Sequence, residues 1–319
     1  MIVAITGGTG FIGRKLAVRH LKMGDTVRLL TRRGNKSCDL LKRVRIFTGD
    51  LTGKLDKLNS FVNNADILYH CAAELNHTKL MYNTHVMGTR NLIEVCKGNI
   101  GRWVQLSSVG VYKKQQGGCI DEIAPIDPIG EYEKTKFISD QLVMKANIDG
   151  EISATILRPS NVYGPDMRTG YMFQWIKMID LGLFFFIGKP GAVANYIHVE
   201  NVVDALGKCA DNPGAVGHIF NVSEKMSMEK FVGIIANSLN RQPPVLRMPR
   251  KMAEFISVLS QVHSSFPLTR SRIEALTGDT FYSNAKIQQK LGFSNKITLE
   301  QGLRQMVDAY KAHRKTLLK

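Results

Sequence analysis

Ile2-Val3-Ala4-Ile5-Thr6-Gly7-Gly8-Thr9-Gly10-Phe11-Ile12-Gly13 follows Met1 directly, and the reading of this stretch decides the fold. Ile2 to Ile5 form a short apolar run rich in β-branched residues, as expected of a strand buried on both faces. From Gly10 onward the pattern turns helical. Gly7, Gly10 and Gly13 give G-x-x-G-x-x-G, one residue off the G-x-G-x-x-G dinucleotide fingerprint but asking for the same physics. Glycines permit a tight turn, let backbone N–H groups approach a pyrophosphate and let a helix pack closely on a strand. The helix N-terminus adds partial positive charge. A glycine-rich β–α turn without a ligand is the bland alternative. Its place right after a strand favours the cradle, and makes Gly7, Thr9, Gly10, Phe11, Ile12 and Gly13 candidate cofactor contacts.

Working outward, residues 26–31, 44–48, 67–73, 103–108 and 154–157 read as further strands. Residues 14–23, 55–63, 84–96 and 132–147 read as the helices between them. This alternation predicts an α/β fold with a parallel, doubly wound sheet covered by helices, and a ligand crevice at the carboxyl ends of its strands. Beyond Pro165 the pattern loosens. Residues 196–199 and 218–222 read as late strands around a helix at 200–209, while 228–239, 251–262 and 299–313 read as helices, with Pro243, Pro244, Pro249 and Pro267 as punctuation. The expected division is a dinucleotide-binding domain at 1–163 and 196–222, with a smaller C-terminal α+β substrate domain at 164–195 and 223–319. The segment 196–222 is expected to return to the sheet.

Hydrophobic content of 44% and charged content of 22% describe an ordinary globular protein. No apolar run reaches the ~18 residues of a membrane span. The chain starts on a strand, which leaves no room for a signal peptide in this reading. Its five scattered cysteines lack C-x-x-C spacing. A reducing cytoplasm, without structural disulfides or a bound metal, is the simplest expectation. Lys and Arg outnumber Asp and Glu by 43 to 27, a formal +16. The basic residues are dispersed and not interleaved with aromatics, so no nucleic-acid partner is expected. The basic tail from His313 to Lys319 and the amphipathic stretch 251–264 leave peripheral contact with anionic lipid as the minor alternative to a solvated tail and a helix capping the substrate pocket.

The decisive constellation is Tyr132-Glu133-Lys134-Thr135-Lys136, with Ser108 24 residues earlier. Tyr132 and Lys136 are four apart and share a helix face. A free phenol, with pKa ~10, transfers protons poorly at neutral pH. A neighbouring ammonium and a positive oxidised nicotinamide favour phenolate and pull that value toward the working range. Ser108, at the carboxyl end of the fifth strand, would aim its hydroxyl at the substrate oxygen beside Tyr132. Alone, Y-x-x-x-K is common in a Lys-rich chain; the serine, the glycine turn and their order give it weight.

At these residues the chain resembles the extended short-chain dehydrogenase/reductases, the NAD-dependent epimerase/dehydratase family. The resemblance is carried by TGGTGFIG at 6–13, GDL at 49–51, HCAA at 70–73, GTRNL at 88–92, SSVGVY at 107–112, YEKTK at 132–136, LRPSNVYGP at 157–165 and YIHVENVVDA at 196–205. It implies a Rossmann domain binding NAD or NADP, a C-terminal substrate domain, and a homodimer. Tyr132 would be the acid/base, Lys136 its modulator and ribose ligand, and Ser108 the oxygen-positioning donor. Asp50 and Leu51 would flank the adenine, Ala72 and Ala73 the middle of the cofactor, and Pro159 and Val162 the nicotinamide. The chain departs from the family at His85, where the family's N-V-x-G-T has asparagine; His198 fits a packed strand-to-helix stretch better than a catalytic role.

Cofactor choice follows from charge. Thr31 stands 18 residues past Gly13 where NAD enzymes of this layout carry a carboxylate, and Arg32 and Arg33 follow it. Two guanidiniums without the acid suit the 2′-phosphate of NADP, with NAD as the alternative. Two substrate branches compete. The stretches 199–203 and 267–293 look closest to the 3β-hydroxysteroid dehydrogenase-like branch, in which hydride passes between nicotinamide C4 and a secondary alcohol or ketone carbon. Nucleotide-sugar epimerases, dehydratases and reductases are the alternative, yet Ala194 and Leu276 stand where that branch places diphosphate-binding arginines. Phe184–Phe186 and residues 255–259 would suit an apolar pocket. A remoter alternative is a non-catalytic cofactor sensor or RNA-binding scaffold, which commonly loses the tyrosine–lysine pair kept here.

Overall fold

The structure is a computed structural model that describes residues 1–32, 42–167, 171–259 and 270–317. Arg33, Cys38, Pro267, the end of the stretch 251–264 and the last residues of the basic tail lie outside the described residues. Seven parallel strands form the large sheet: β1 (Ile2–Thr6), β2 (Thr26–Thr31), β3 (Arg45–Thr48), β4 (Ala65–His70), β5 (Ile100–Leu106), β6 (Ala154–Pro159) and β7 (Ile219–Val222), in the order β7-β6-β5-β4-β1-β2-β3. Val3 lies between Val27 and Ile67, and Trp103 pairs with Leu68 and Ala154. The strands are apolar because helices cover both faces. Val3, Ile5, Leu29 and Val104 pack on one side against Leu16, Val202 and Leu206. Ala4, Leu68, Trp103 and Ile156 pack on the other against Leu58, Leu92 and Val143. The strand order reverses between β1 and β4, and the loops that follow these two strands flank the crevice there.

A second core, containing Ile176, Phe184, Phe186, Phe231 and Leu303, gathers around a three-stranded sheet. In that sheet Val193–His198 runs parallel to Asn161–Tyr163 and antiparallel to Glu224–Ser227. Of the segment 196–222, the helix Val199–Asp211 packs on the large sheet and β7 joins its edge, whereas Tyr196 pairs in the small sheet and does not return to the large one. One residue, Ser160, separates β6 from Asn161–Tyr163, and one residue, Ser223, separates β7 from Glu224–Ser227. The Ser160 amide donates to the Val222 carbonyl at 2.9 Å. Ser223 exchanges two hydrogen bonds with the Asn284 side chain.

The helix expected at 84–96 is interrupted. A short helix, Thr78–Tyr82, leads into a π-helical turn, Asn83–Met87, and then into Gly88–Cys96. The wider turn brings His85 inward, where it is buried.

Candidate active site

The glycine stretch forms the turn its spacing calls for. Gly7 has φ +67°, and a Cβ there would stand 2.7 Å from the Ala72 amide nitrogen and from the Cys71 carbonyl. A Cβ at Gly13 would collide with the Gly7 carbonyl oxygen, so the helix Phe11–Lys22 can lie this close to β1 only without one. Gly10 caps that helix with no side chain satisfying its first amides. N–H groups at a helix N-terminus without a side-chain cap fit the pyrophosphate of a dinucleotide. Asp50 Oδ1 accepts from the Thr52 amide at 2.8 Å and its hydroxyl at 2.7 Å. Burial works to raise the Asp50 pKa, but these bonds and the Arg32 guanidinium outweigh it and hold the carboxyl below its ordinary value. Arg32 is thus near Asp50, past the end of β2, and exposed. Leu51 is buried under Gly88, and its carbonyl accepts from Asn91 at 2.8 Å.

Beneath the crevice runs a buried polar chain. The Ala72 amide donates to Thr6 Oγ1 at 3.2 Å, and Thr6 Oγ1 meets His70 Nδ1 at 2.6 Å. His70 Nε2 meets Thr89 Oγ1 at 3.1 Å. Thr89 gives its own proton to the His85 carbonyl, so it accepts from His70 and from Ser139, 2.8 Å away. His70 therefore carries its proton on Nε2 and accepts from Thr6. Burial, with Lys136 and His85 adding to it, pushes the His70 pKa well down, so the ring stays neutral.

Tyr132 and Lys136 lie on the helix Glu131–Ile148. Ser108 follows β5, where its hydroxyl accepts from the Gly110 amide at 3.1 Å. Ser108, Tyr132 and Glu133 line one cleft of about 1870 Å³. The expected pull of Lys136 on Tyr132 is not met within the protein alone. Burial pushes the Tyr132 phenol up to about 12, and the carboxylates of Glu133 and Asp140 push the same way. The Lys136 ammonium, almost wholly buried, instead donates to the Leu106 carbonyl at 2.5 Å. Burial lowers its pKa while the Asp140 carboxylate opposes the loss.

One turn past Lys136, Asp140 Oδ2 accepts from Ser107 at 2.8 Å and from Arg158 Nε and Nη2 at 3.1 and 3.0 Å. Arg158 also lies 5.0 Å from the centre of the Tyr112 ring. This buried cluster fixes β5, β6 and the Tyr132 helix together behind Ser108. The sequence reading missed it. The signal was available in the four-residue spacing of Lys136 and Asp140, which puts a carboxylate beside the buried ammonium.

On the side of the second core the cleft is lined by Trp175, Tyr196 and Met248, with the cations Lys189, Arg247, Arg250 and Lys251, while Tyr282 lines it beside Tyr112. Arg247 donates to Glu229 at 2.8 Å and to the Gly188 carbonyl at 3.1 Å. Ala194 is buried, and Leu276 packs against the small-sheet core. Phe184 and Phe186 are buried in that core rather than lining the cleft, and Phe255 is exposed. His198 accepts from the Glu200 amide at 3.3 Å and so caps the helix Val199–Asp211, outside the cleft lining. Pro159 is buried and Val162 half-buried where the chain passes from one sheet to the other. Among the described residues no group of His, Cys, Asp or Glu could hold a metal ion, and no helix is long and apolar enough to cross a membrane.

Known proteins resemble this chain in sequence and in fold. A sequence model of the NAD dependent epimerase/dehydratase family matches residues 3–223. The chain is 24% identical to 3beta-hydroxysteroid-dehydrogenase/decarboxylase isoform 2 of Arabidopsis thaliana over 96% of its own length, and spans 61% of that protein. It is also 24% identical to N-acetyl-alpha-D-glucosaminyl-diphospho-ditrans,octacis-undecaprenol 4-epimerase of Escherichia coli O157:H7, covering 94% of this chain and 92% of that protein. Its fold is that of UDP-glucuronic acid 4-epimerase from Bacillus cereus, solved in complex with NAD, with a TM-score of 0.78 at 19% identity over 99% of this chain and 98% of the other.

Proposed function

We propose that this chain, which belongs to the NAD dependent epimerase/dehydratase family, is a nicotinamide-dependent enzyme acting on a secondary alcohol or ketone. The observation that carries the reading is the convergence of Ser108 and Tyr132 on one cleft, with Lys136 one turn behind the tyrosine. The cofactor would lie along the uncapped helix Phe11–Lys22, between Asp50, Leu51, Ala72 and Ala73, and reach Pro159 and Val162. Bound nicotinamide supplies or accepts the hydride and, when oxidised, a positive charge. Ser108 holds the substrate oxygen, and Tyr132 delivers or removes its proton. A phenol near 12 is an acid suited to protonating an alkoxide, and it becomes a base only when a cation offsets Glu133, Asp140 and the burial. Lys136 holds the ribose and keeps a positive charge behind the phenol. Arg32, with Arg33, favours NADP over NAD.

For the substrate, the packing of Ala194 and Leu276 supports a ligand not held chiefly by a diphosphate, oxidised or reduced outright. A nucleotide sugar is the second reading, and the cations Lys189, Arg247, Arg250 and Lys251 at the far end of the cleft favour it. A thermal-shift panel on the cofactor-loaded protein separates the two, comparing UDP- and dTDP-sugars with hydroxysteroids and other hydrophobic alcohols. A ligand at 100 times its dissociation constant stabilises by ~2.7 kcal/mol. Stabilisation by hydrophobic alcohols and turnover to a ketone are expected. A shift from a nucleotide sugar, with an epimerised product, reverses the ranking.

A further inference from the structure

His85 presents both ring nitrogens to different parts of the site. Nε2 lies 2.9 Å from the Glu74 amide nitrogen, and Nδ1 lies 2.7 Å from Thr135 Oγ1. An amide N–H can only donate, so Nε2 accepts and the neutral ring carries its proton on Nδ1. That proton goes to Thr135, whose hydroxyl donates in turn to the carbonyls of Glu131 at 2.8 Å and Tyr132 at 3.1 Å. The bonds therefore run in one direction, from the loop after β4, through the imidazole, to the first turn of the Tyr132 helix. The same ring stands edge-on to Tyr132, with centroids 5.5 Å apart and planes at 87°.

The loop at the other end of this chain of bonds is itself a built turn. Glu74 Oε1 accepts from the amides of Asn76 and His77 at 3.0 and 3.2 Å, and the Ala72 amide is tied to Thr6. Its two anchors are thus Thr6, beside the glycine turn, and His85, beside the tyrosine. Among the described residues the second anchor's acceptor is His85, which the π-helical turn brings inward.

We infer that His85 is a positioning residue that uses both nitrogens of one imidazole to tie the loop 71–77 to the first turn of the Tyr132 helix, so that the cofactor-side loop and the Tyr132 phenol hold one relative position. The inference rests on the proposed roles of that loop and of Tyr132 toward a nicotinamide cofactor. Charged groups face the ring from two elements: Lys136 from the Tyr132 helix and Glu74 from the loop. Burial and the Lys136 ammonium hold its pKa down to about 4, against the weaker opposite effect of Glu74. Below that pH a second N–H would point at the Glu74 amide, and two donors would face each other.

The test compares wild type with His85→Leu, which keeps volume without polar atoms, and His85→Gln, whose side-chain oxygen reaches toward the place of Nε2. NADH and NADPH dissociation constants are read by fluorescence titration at pH 7.5, with thermal midpoints recorded for each variant. Losing the bond from the part-buried Glu74 amide should weaken binding of the preferred cofactor by roughly two- to tenfold in His85→Leu. His85→Gln should recover most of that loss. Unchanged binding in His85→Leu overturns the inference. So does a folded His85→Gln as weak as His85→Leu. A wild-type protein that binds neither nucleotide removes the parent reading, and this inference falls with it.

Discussion

At the Tyr132 end of the cleft, polar side chains reach their partners through the core. At the Arg247 end they reach them across the surface. Lys136, Ser107, Asp140, Arg158, His70 and Thr89 are all buried, and each has a hydrogen bond to a residue on another element. Lys189, Arg250 and Lys251 are exposed, and Arg250 pairs with Glu254 on its own helix. Buried groups tied to partners on other elements cannot shift without leaving more polar atoms unsatisfied, so the first end is preorganised. Exposed cations on long side chains adapt at little cost, so the second end can follow the shape of a ligand. One cleft thus joins a fixed end to an adaptable one.

The sharpest way to break this comparison is at the proton. Tyr132→Phe should lower turnover by about 10²–10⁴-fold while the cofactor dissociation constant stays within a factor of about two. Retention of more than about a third of the wild-type rate in a chemistry-limited assay would show that another group moves the proton. Next comes the frame behind it. Asp140→Asn leaves the Arg158 guanidinium buried with a neutral partner, and breaking such a pair costs about 3–5 kcal/mol. Urea unfolding should show a loss of that order; one below about 1 kcal/mol would mean that the Tyr132 end is no more rigid than the other. The smallest effect is expected at the exposed cofactor edge. Arg32→Ala with Arg33→Ala should weaken NADP(H) by about 1.5–3 kcal/mol and leave NAD(H) nearly unchanged. Equal losses for both cofactors would remove the basis for an NADP preference.

The legible part of the molecule was the part written in short-range patterns. The opening strand and glycine turn, the alternation that builds the seven-stranded sheet and the shared face of Tyr132 and Lys136 each occupy a few consecutive residues. What stayed hidden depends on distant partners. The π-helical turn at 83–87 is tied to Glu74 on one side and to Thr135, 50 residues on, on the other. The pairing of Tyr196 with Asn161 involves a three-residue strand, too short for any periodicity to register. Arg247 enters the cleft on a two-residue strand whose partner is Phe186–Ile187, so no local signal marked it. The low basicity of Lys136 and the high pKa of Tyr132 come from burial, which a four-residue spacing does not reveal.

The single-residue passages at Ser160 and Ser223 have a consequence for anyone who would re-engineer this protein. Modular enzymes can often be recombined by exchanging a specificity cassette at a flexible linker. Here the backbone moves from one sheet to the other twice with one residue to spare, and the Ser160 amide is fastened to Val222, where the second passage begins. Any transplant of the half built around the small sheet would cut between strands that share hydrogen bonds across the join. New specificity in this scaffold is therefore better sought by substitution along the Lys189–Arg247 arm than by swapping segments.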